Sequence, residues 1–227
     1  MLFLRSLVYW LGMAAATVVI APLGLLLFPF PLHVRYRVIR WWALFNLWFL
    51  RLTCNLDYRV EGGENIPRDG SYLVFCKHQS TWETMVLQVL FPQPIWVLKK
   101  ELLWLPLFGW GLAMLEPIAI DRKAGRKAIR QLVDQGRHHL DAGRVVVIFP
   151  EGTRTAYGSR GTYHLGGAIL AEKSDQPIVP VAHDAGLFWP RHTFLKHPGT
   201  IQVSIGPVIE VEGRKATNDA TVESEVE

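Results

Sequence analysis

The stretch from Ser6 to Phe28 carries no formally charged residue over 23 positions, and a helix needs about 20 such residues to cross the hydrocarbon core of a bilayer. A chain with such a run must bury it in lipid or in protein. Pro22 and Gly24 interrupt the run, and Pro29 and Pro31 close it. A transmembrane span and a re-entrant or interfacial arrangement with the next segment therefore both stay open. A cleaved signal peptide ranks last, because the apolar run continues past Ala14, Ala15 and Ala16 and a second apolar segment follows soon after. That second segment, Trp41 to Leu50, is too short to span and lies between Arg40 and Arg51. It reads as an interfacial helix whose arginines meet lipid headgroups. Arg35, Arg37 and Arg40 outnumber Arg5 across the first segment, which places the bulk of the protein on the cytoplasmic side of a membrane.

At 227 residues, half of them hydrophobic, the chain suffices for one packed domain plus a membrane-associated portion, and not for two full soluble domains. The net charge of +4 is unevenly spread: arginines cluster from Arg35 to Arg59, and Glu210, Glu212, Glu223, Glu225 and Glu227 fall in the tail. The front half favours an anionic surface. Nucleic acid is not the expected partner, because the aromatics sit in hydrophobic runs instead of alternating with Lys and Arg. Cys54 and Cys76 have no short-spaced partner, so they read as two reduced thiols, and neither a disulfide framework nor a zinc site is implied.

After Leu56 the texture changes to short apolar runs separated by Gly, Pro and charge. Six runs have strand length and β-rich content: Tyr72 to Cys76, Ile95 to Leu98, Pro117 to Ile120, Val145 to Phe149, Ile178 to Ala182 and Ile201 to Ile205. Between them lie helical candidates at Thr84 to Leu90, Lys123 to Leu140 and His164 to Ser174, the middle one with Ile129, Leu132, Val133 and Leu140 on one side. This alternation predicts an α/β domain: a mixed, largely buried sheet flanked by helices, preceded by an N-terminal membrane-embedded helical segment. The expected organisation is an anchor with an interfacial helix over 1–56, a catalytic domain over 57–209 and a disordered acidic tail over 210–227.

Two stretches carry chemistry. His78 falls just beyond the Tyr72 to Cys76 strand, where open α/β sheets place ligands. Ser80-Thr81-Trp82-Glu83 then matches a capping box, in which Glu at the third helical position folds back toward the residues before the helix. Capping and catalysis are compatible readings of Glu83: a carboxylate so placed can accept from one ring nitrogen of His78, leave the other free and favour the imidazolium that forms when His78 takes a proton. The second stretch follows the Val145 to Phe149 run. There Gly152 permits close backbone approach, Arg154 offers a planar fork for phosphate oxygens and Thr153 adds a donor. A plain turn with a surface ion pair is the bland alternative. Arg122 and Lys100, each at the end of another strand, add positive field if those ends share an edge with His78. A base beside a phosphate clamp suits an enzyme that activates a hydroxyl on a phosphorylated substrate, and the greasy N-terminus makes that substrate a lipid. Leu102 to Met114, with Trp104, Phe108 and Trp110, reads either as core or as the lining of an acyl-chain groove.

From about Val60 to about Val208 these residues resemble the glycerolipid acyltransferases of the 1-acylglycerol-3-phosphate acyltransferase type. The family's His, four residues, acid motif is similar to His78 through Glu83. Its second block resembles Ile118-Ala119-Ile120-Asp121-Arg122, its third Phe149-Pro150-Glu151-Gly152-Thr153-Arg154 and its fourth Ile178-Val179-Pro180-Val181. Lys100 stands where such enzymes carry a phosphate-binding lysine. The family's usual acid is Asp and its usual residue before the His is Asn; Glu83 and Lys77 stand in those places here, a departure that bears on the acceptor more than on the reaction.

The resemblance implies transfer of a fatty acyl group from a thioester of acyl-carrier protein or coenzyme A to the hydroxyl of lysophosphatidic acid at a membrane. His78 and Glu83 would be catalytic, and Lys100, Arg122, Glu151, Gly152, Thr153 and Arg154 would form the substrate-binding set, with Glu151 arranging its loop. No metal or further cofactor is implied. Another lysophospholipid or an amino-acid lipid as acceptor, and a non-catalytic lipid-binding protein, are the competing expectations. A hydrolase is weaker, since no Gly-x-Ser-x-Gly elbow is present.

Overall fold

The apolar N-terminus folds as one half of a helical hairpin. The computed structural model describes residues 1–211, so all but the first two residues of the expected acidic tail lie outside the described residues. Helix α1 (Leu2–Leu26) runs unbroken through Pro22, correcting the expectation that Pro22 and Gly24 break it. Pro22 lies in the last turns, where its missing N–H frees only one carbonyl. At about 1.5 Å per residue the helix is roughly 37 Å long, and it is the one described helix long and apolar enough to cross a membrane.

Helix α2 (Leu32–Cys54) returns antiparallel to it. Trp42 Nε1 donates to Thr17 Oγ1 at 3.2 Å, and Cys54 Sγ donates to the carbonyl of Arg5 at 3.6 Å. Gly12 lets the ring of Phe49 lie where a Cβ would stand, 2.1 Å from the nearest ring carbon. Asn55 ends α2 in the left-handed region at φ 52, which Asn tolerates better than most residues.

Two sequence expectations change here. The short interfacial segment Trp41 to Leu50 is the middle of this 23-residue helix. Its arginines are also less available to headgroups than expected. Arg35 is buried, donating to the carbonyl of Met114 and pairing with Glu116 at 2.6 Å. Arg40 bonds the carbonyl of Val89, and Arg51 pairs with Asp57 at 3.1 Å. Arg37 remains on the exposed stripe with Trp41, Phe45, Trp48 and Leu52.

The domain that follows is a seven-stranded mixed sheet in the order β1-β7-β6-β2-β5-β3-β4. The strands are β1 (Leu56–Glu61), β2 (Leu73–Cys76), β3 (Ile95–Lys99), β4 (Ile118–Ile120), β5 (Val146–Ile148), β6 (Ile178–His183) and β7 (Gly199–Ile205). Only the β6–β7 pair is antiparallel. Central β2 and β5 are buried throughout, as interior parallel strands must be. Helices α3 (Trp82–Leu90), α4 (Phe108–Ala113), α5 (Arg126–Asp141), α6 (Gly166–Ser174) and α7 (Ala185–Phe188) fill the connections.

Crossovers between parallel strands are right-handed. The β2-α3-β3 path steps one way across the sheet, and the β4-α5-β5 and β5-α6-β6 paths step the other. Handedness therefore puts α3 on one face and α5 and α6 on the opposite one. The packing agrees: α2 lies on α3, while α5 lies on α6, β4 and β5.

Candidate active site

Strands β2, β5, β3 and β4 are parallel neighbours, so their carboxyl ends open onto one edge. His78, Phe149 to Arg154, Lys100 and Asp121-Arg122 all follow those ends. At about 4.8 Å between strands, three spacings put the outermost of these chain positions roughly 14 Å apart, within reach of Lys and Arg side chains.

His78 is fixed on every side but one. Its Nδ1 lies 2.7 Å from Glu83 Oε1, and its ring stacks on Phe149 with centroids 4.0 Å apart and planes within 16°. Phe149 stacks in turn on Trp96. The backbone N–H of His78 donates to Glu151 Oε2 at 2.7 Å, and its carbonyl accepts from the N–H of Thr155 at 2.7 Å. The residues on either side are anchored to the β6 end, where His183 Nε2 bonds the carbonyl of Lys77 at 2.8 Å and Gln79 Oε1 accepts from the N–H of Gly186. With Nδ1 engaged, Nε2 is the nitrogen left to take a proton, on a side chain 15% exposed.

Glu83 is fully buried and sits in the first turn of α3. Its Oε1 accepts from the N–H groups of Gln79 at 3.0 Å and Ser80 at 2.9 Å as well as from His78, and its Oε2 accepts from Ser80 at 3.0 Å. The reciprocal half of the capping box is different. Ser80 Oγ accepts from the N–H of Trp82, not from that of Glu83. Burial pushes the Glu83 carboxyl up, but the hydrogen bond from His78, the nearby charge of His183 and His78, and the Ser80 amide together hold it below the ordinary carboxylate range. A buried, ionised carboxylate against Nδ1 orients the imidazole and stabilises its protonated form.

The loop after β5 forms the facing wall. Gly152 has φ +64, and a Cβ there would come within 2.9 Å of the His164 ring, so the turn requires glycine. Glu151 is buried with both oxygens engaged, Oε2 by His78 and Oε1 by Thr155 Oγ1 at 2.8 Å. It ties the loop to His78 and leaves neither carboxylate oxygen unbonded. Thr153 is exposed and Arg154 half-buried, and among the described residues the Arg154 guanidinium has no ion-pair partner. Arg122 reaches across from the β4 end to bond the carbonyl of Gly152. Lys100 Nζ pairs with Asp121 Oδ2 at 2.6 Å, and Asp121 Oδ1 accepts from the N–H of Lys123.

Sequence reasoning missed the Lys100–Asp121 pair and the scaffold of Phe149, Thr155, Gln79 and His183 around His78. Their partners lie 21 to 107 positions apart in sequence, and no short-range spacing announces them. Leu102 to Met114 is neither closed core nor ordinary loop: Trp104 is 82% exposed, and Leu105, Phe108 and Trp110 are exposed with it.

Residues 57–184 match the family model described as Acyltransferase. The chain is 43% identical to 1-acyl-sn-glycerol-3-phosphate acyltransferase of Pseudomonas aeruginosa over 92% of this chain and 82% of that protein. It is 29% identical to the mouse 1-acyl-sn-glycerol-3-phosphate acyltransferase alpha over 79% of this chain and 65% of that one. Among solved structures, the 1-acyl-sn-glycerophosphate (LPA) acyltransferase PlsC of Thermotoga maritima superposes with a TM-score of 0.82 at 21% identity, covering 99% of this chain and 92% of that one. At that identity the likeness concerns the fold.

Proposed function

The chain belongs to the Acyltransferase family, and from that premise we propose that its site moves a fatty acyl group from a thioester onto the free hydroxyl of 1-acylglycerol-3-phosphate, giving phosphatidic acid. The observation that carries the chemistry is the 2.7 Å contact between His78 Nδ1 and the buried Glu83 carboxylate, at the sheet edge that also presents Arg122, Arg154 and Lys100.

His78 Nε2 takes the proton of the acceptor hydroxyl as its oxygen attacks the thioester carbonyl. A C–O bond forms, the tetrahedral oxyanion collapses, the C–S bond breaks and the departing thiolate takes the proton back from His78. The protein supplies no covalent nucleophile. Glu83 holds the ring and balances its positive charge. Arg154, with Arg122 and Lys100 beside it, binds the acceptor phosphate through charge-assisted hydrogen bonds, and Thr153 adds a donor. Glu151 keeps the phosphate loop and the base in register.

The reaction takes place at a membrane. The α1–α2 hairpin, with Trp41, Phe45 and Trp48 on its outer stripe and with α4, which begins at the exposed Phe108, packed against α1, holds the enzyme where both lipids are concentrated, which reduces the entropic part of the barrier. The domain faces the cytoplasm in this reading, where acyl-carrier protein and coenzyme A thioesters are found.

Acyl transfer to lysophosphatidic acid and to lysophosphatidylcholine, measured side by side with wild-type protein and with His78→Ala, tests this. Diacylated product should form from the first only, and the variant should bind vesicles yet turn over at least about 10²-fold more slowly. Equal use of both acceptors, or a fully active variant, would refute it.

A further inference from the structure

The exposed side of α5 is charged in a way its own fold does not call for. Lys123 precedes the helix, and Arg126, Lys127 and Arg130 occupy its first turns, all of them exposed. Among the described residues none of the four forms an ion pair. The first turn has no acidic residue, and Gly125 offers no side-chain cap. Cations at a helix N-terminus oppose the macrodipole, so this arrangement costs stability and calls for another explanation.

Position supplies one. The segment follows directly on Arg122, which bonds the carbonyl of Gly152, so the basic end of α5 adjoins the reacting edge of the sheet. Handedness places α5 on the face opposite α3, and α2 packs on α3. The basic strip thus lies on the side of the sheet away from the α1–α2 hairpin, toward water. From Arg126 to Arg137 it spans 12 residues, about 16 Å of helix, with Asp134 the one carboxylate between them. That is longer than one phosphate needs, and between Arg126 and Asp141 the helix has no Phe, Tyr or Trp on which a nucleotide base could stack.

Building on the acyl-transfer reading, we propose that Lys123, Arg126, Lys127 and Arg130 form the docking surface for an acidic acyl-carrier protein, which presents its thioester to His78 from the aqueous side. Complementary charge of this kind raises the encounter rate and fixes orientation, and salt screens it.

The test uses the full-length protein with Arg126→Glu, Lys127→Glu and Arg130→Glu combined, and three palmitoyl donors: acyl-carrier protein, coenzyme A and the uncharged N-acetylcysteamine thioester. With the carrier protein, kcat/KM should fall about 10- to 100-fold and lose its salt dependence, while the uncharged donor changes by less than about threefold. The thermal midpoint should hold or rise, since carboxylates now face the helix N-terminus. An equal loss on all donors, no loss with the carrier protein, a loss confined to the coenzyme A donor, or loss of binding to anionic vesicles would overturn the proposal. If wild-type protein gives no product with any donor, the acyl-transfer reading itself fails and this surface assignment falls with it, a result distinct from a donor-selective loss.

Discussion

Glu83→Gln is the most informative single substitution, because the structure says which part of the carboxylate's work it removes. Three donors converge on Oε1: His78 Nδ1 and the amides of Gln79 and Ser80. Oε2 meets only the Ser80 amide. A glutamine therefore settles with its carbonyl oxygen in the Oε1 position and its NH₂ in the Oε2 position. The tautomer of His78 survives, and what is lost is the negative charge. At roughly 4 Å between charge centres and an effective dielectric of about 20, that charge stabilises an imidazolium by about 4 kcal/mol. The amide dipole restores part of this, which leaves a loss of ~10²–10³-fold in kcat at 1.36 kcal/mol per decade. The penalty is smaller than the ~10⁴-fold seen where the equivalent change also fixes the wrong tautomer. KM for lysophosphatidic acid should stay within about threefold. The buried NH₂ now faces another donor, so stability should drop by about 1–3 kcal/mol. Because the Glu83 pKa is held below its ordinary value of 4.5, the ionised carboxylate stabilises the fold above that value, and the difference from the variant should shrink as pH falls below about 4.5. Steady-state acyl transfer and thermal unfolding in detergent at pH 7 and pH 4 measure all of this. A variant within tenfold of wild-type kcat, or one defective only in KM, would refute the charge-stabilising role of Glu83.

The guanidinium of Arg154 should act on the acceptor phosphate: Arg154→Gln is expected to raise KM for lysophosphatidic acid about 10- to 100-fold with little change in kcat, and an unaltered KM in the same assay would remove it from the phosphate site. Lys196 offers a pH test of the anchor joint. It is fully buried among Tyr9, Trp10, Trp189 and Phe194, with Nζ 3.7 Å from the Trp10 ring centre, and burial lowers its pKa to about 7. The unfolded chain then holds more protons between pH 7 and about 10, so stability should rise with pH over that window. The four rings offset part of the cost of the charge, leaving about 1–2 kcal/mol, or roughly 2–6 °C in Tm between pH 7 and 9. Lys196→Met should flatten that rise, and an unchanged slope in scanning fluorimetry would count against the buried-charge account.

The interior strands were legible because parallel strands covered on both faces must be apolar throughout, and β2, β5 and β6 read that way. Strand β1 was missed although its signal is present: at the sheet edge, Leu-Asp-Tyr-Arg-Val-Glu alternates apolar and polar residues as a half-buried strand does, and the apolar helix just before it drew the boundary at Leu56. Helix α2 was underestimated for a related reason. Arg35, Arg37 and Arg40 interrupt the apolar run, yet one of them is spent on a buried pair with Glu116 and the helix continues through all three. At the site, His78 and Glu83 were legible together because a capping box has fixed spacing. The acceptor role of Glu151 toward the His78 backbone was not, since it joins residues 73 positions apart.

The position of the proposed base, His78, follows from the same topology that hid these long-range partners. A right-handed crossover brings β5 back beside β2, so the turn that starts α3 and the turn that follows β5 emerge as neighbours. The buried Glu83 carboxylate then answers two requirements with one group: it satisfies the Gln79 and Ser80 amides ahead of the first turn of α3, and it orients the ring just before them. Glu151 repeats the arrangement from the adjacent strand, accepting from the His78 amide while holding Thr155. A base supported in this way has little freedom to rotate, which is what transfer between two mobile lipids needs, because the acyl donor and the acceptor bring the conformational freedom and the protein brings the fixed point.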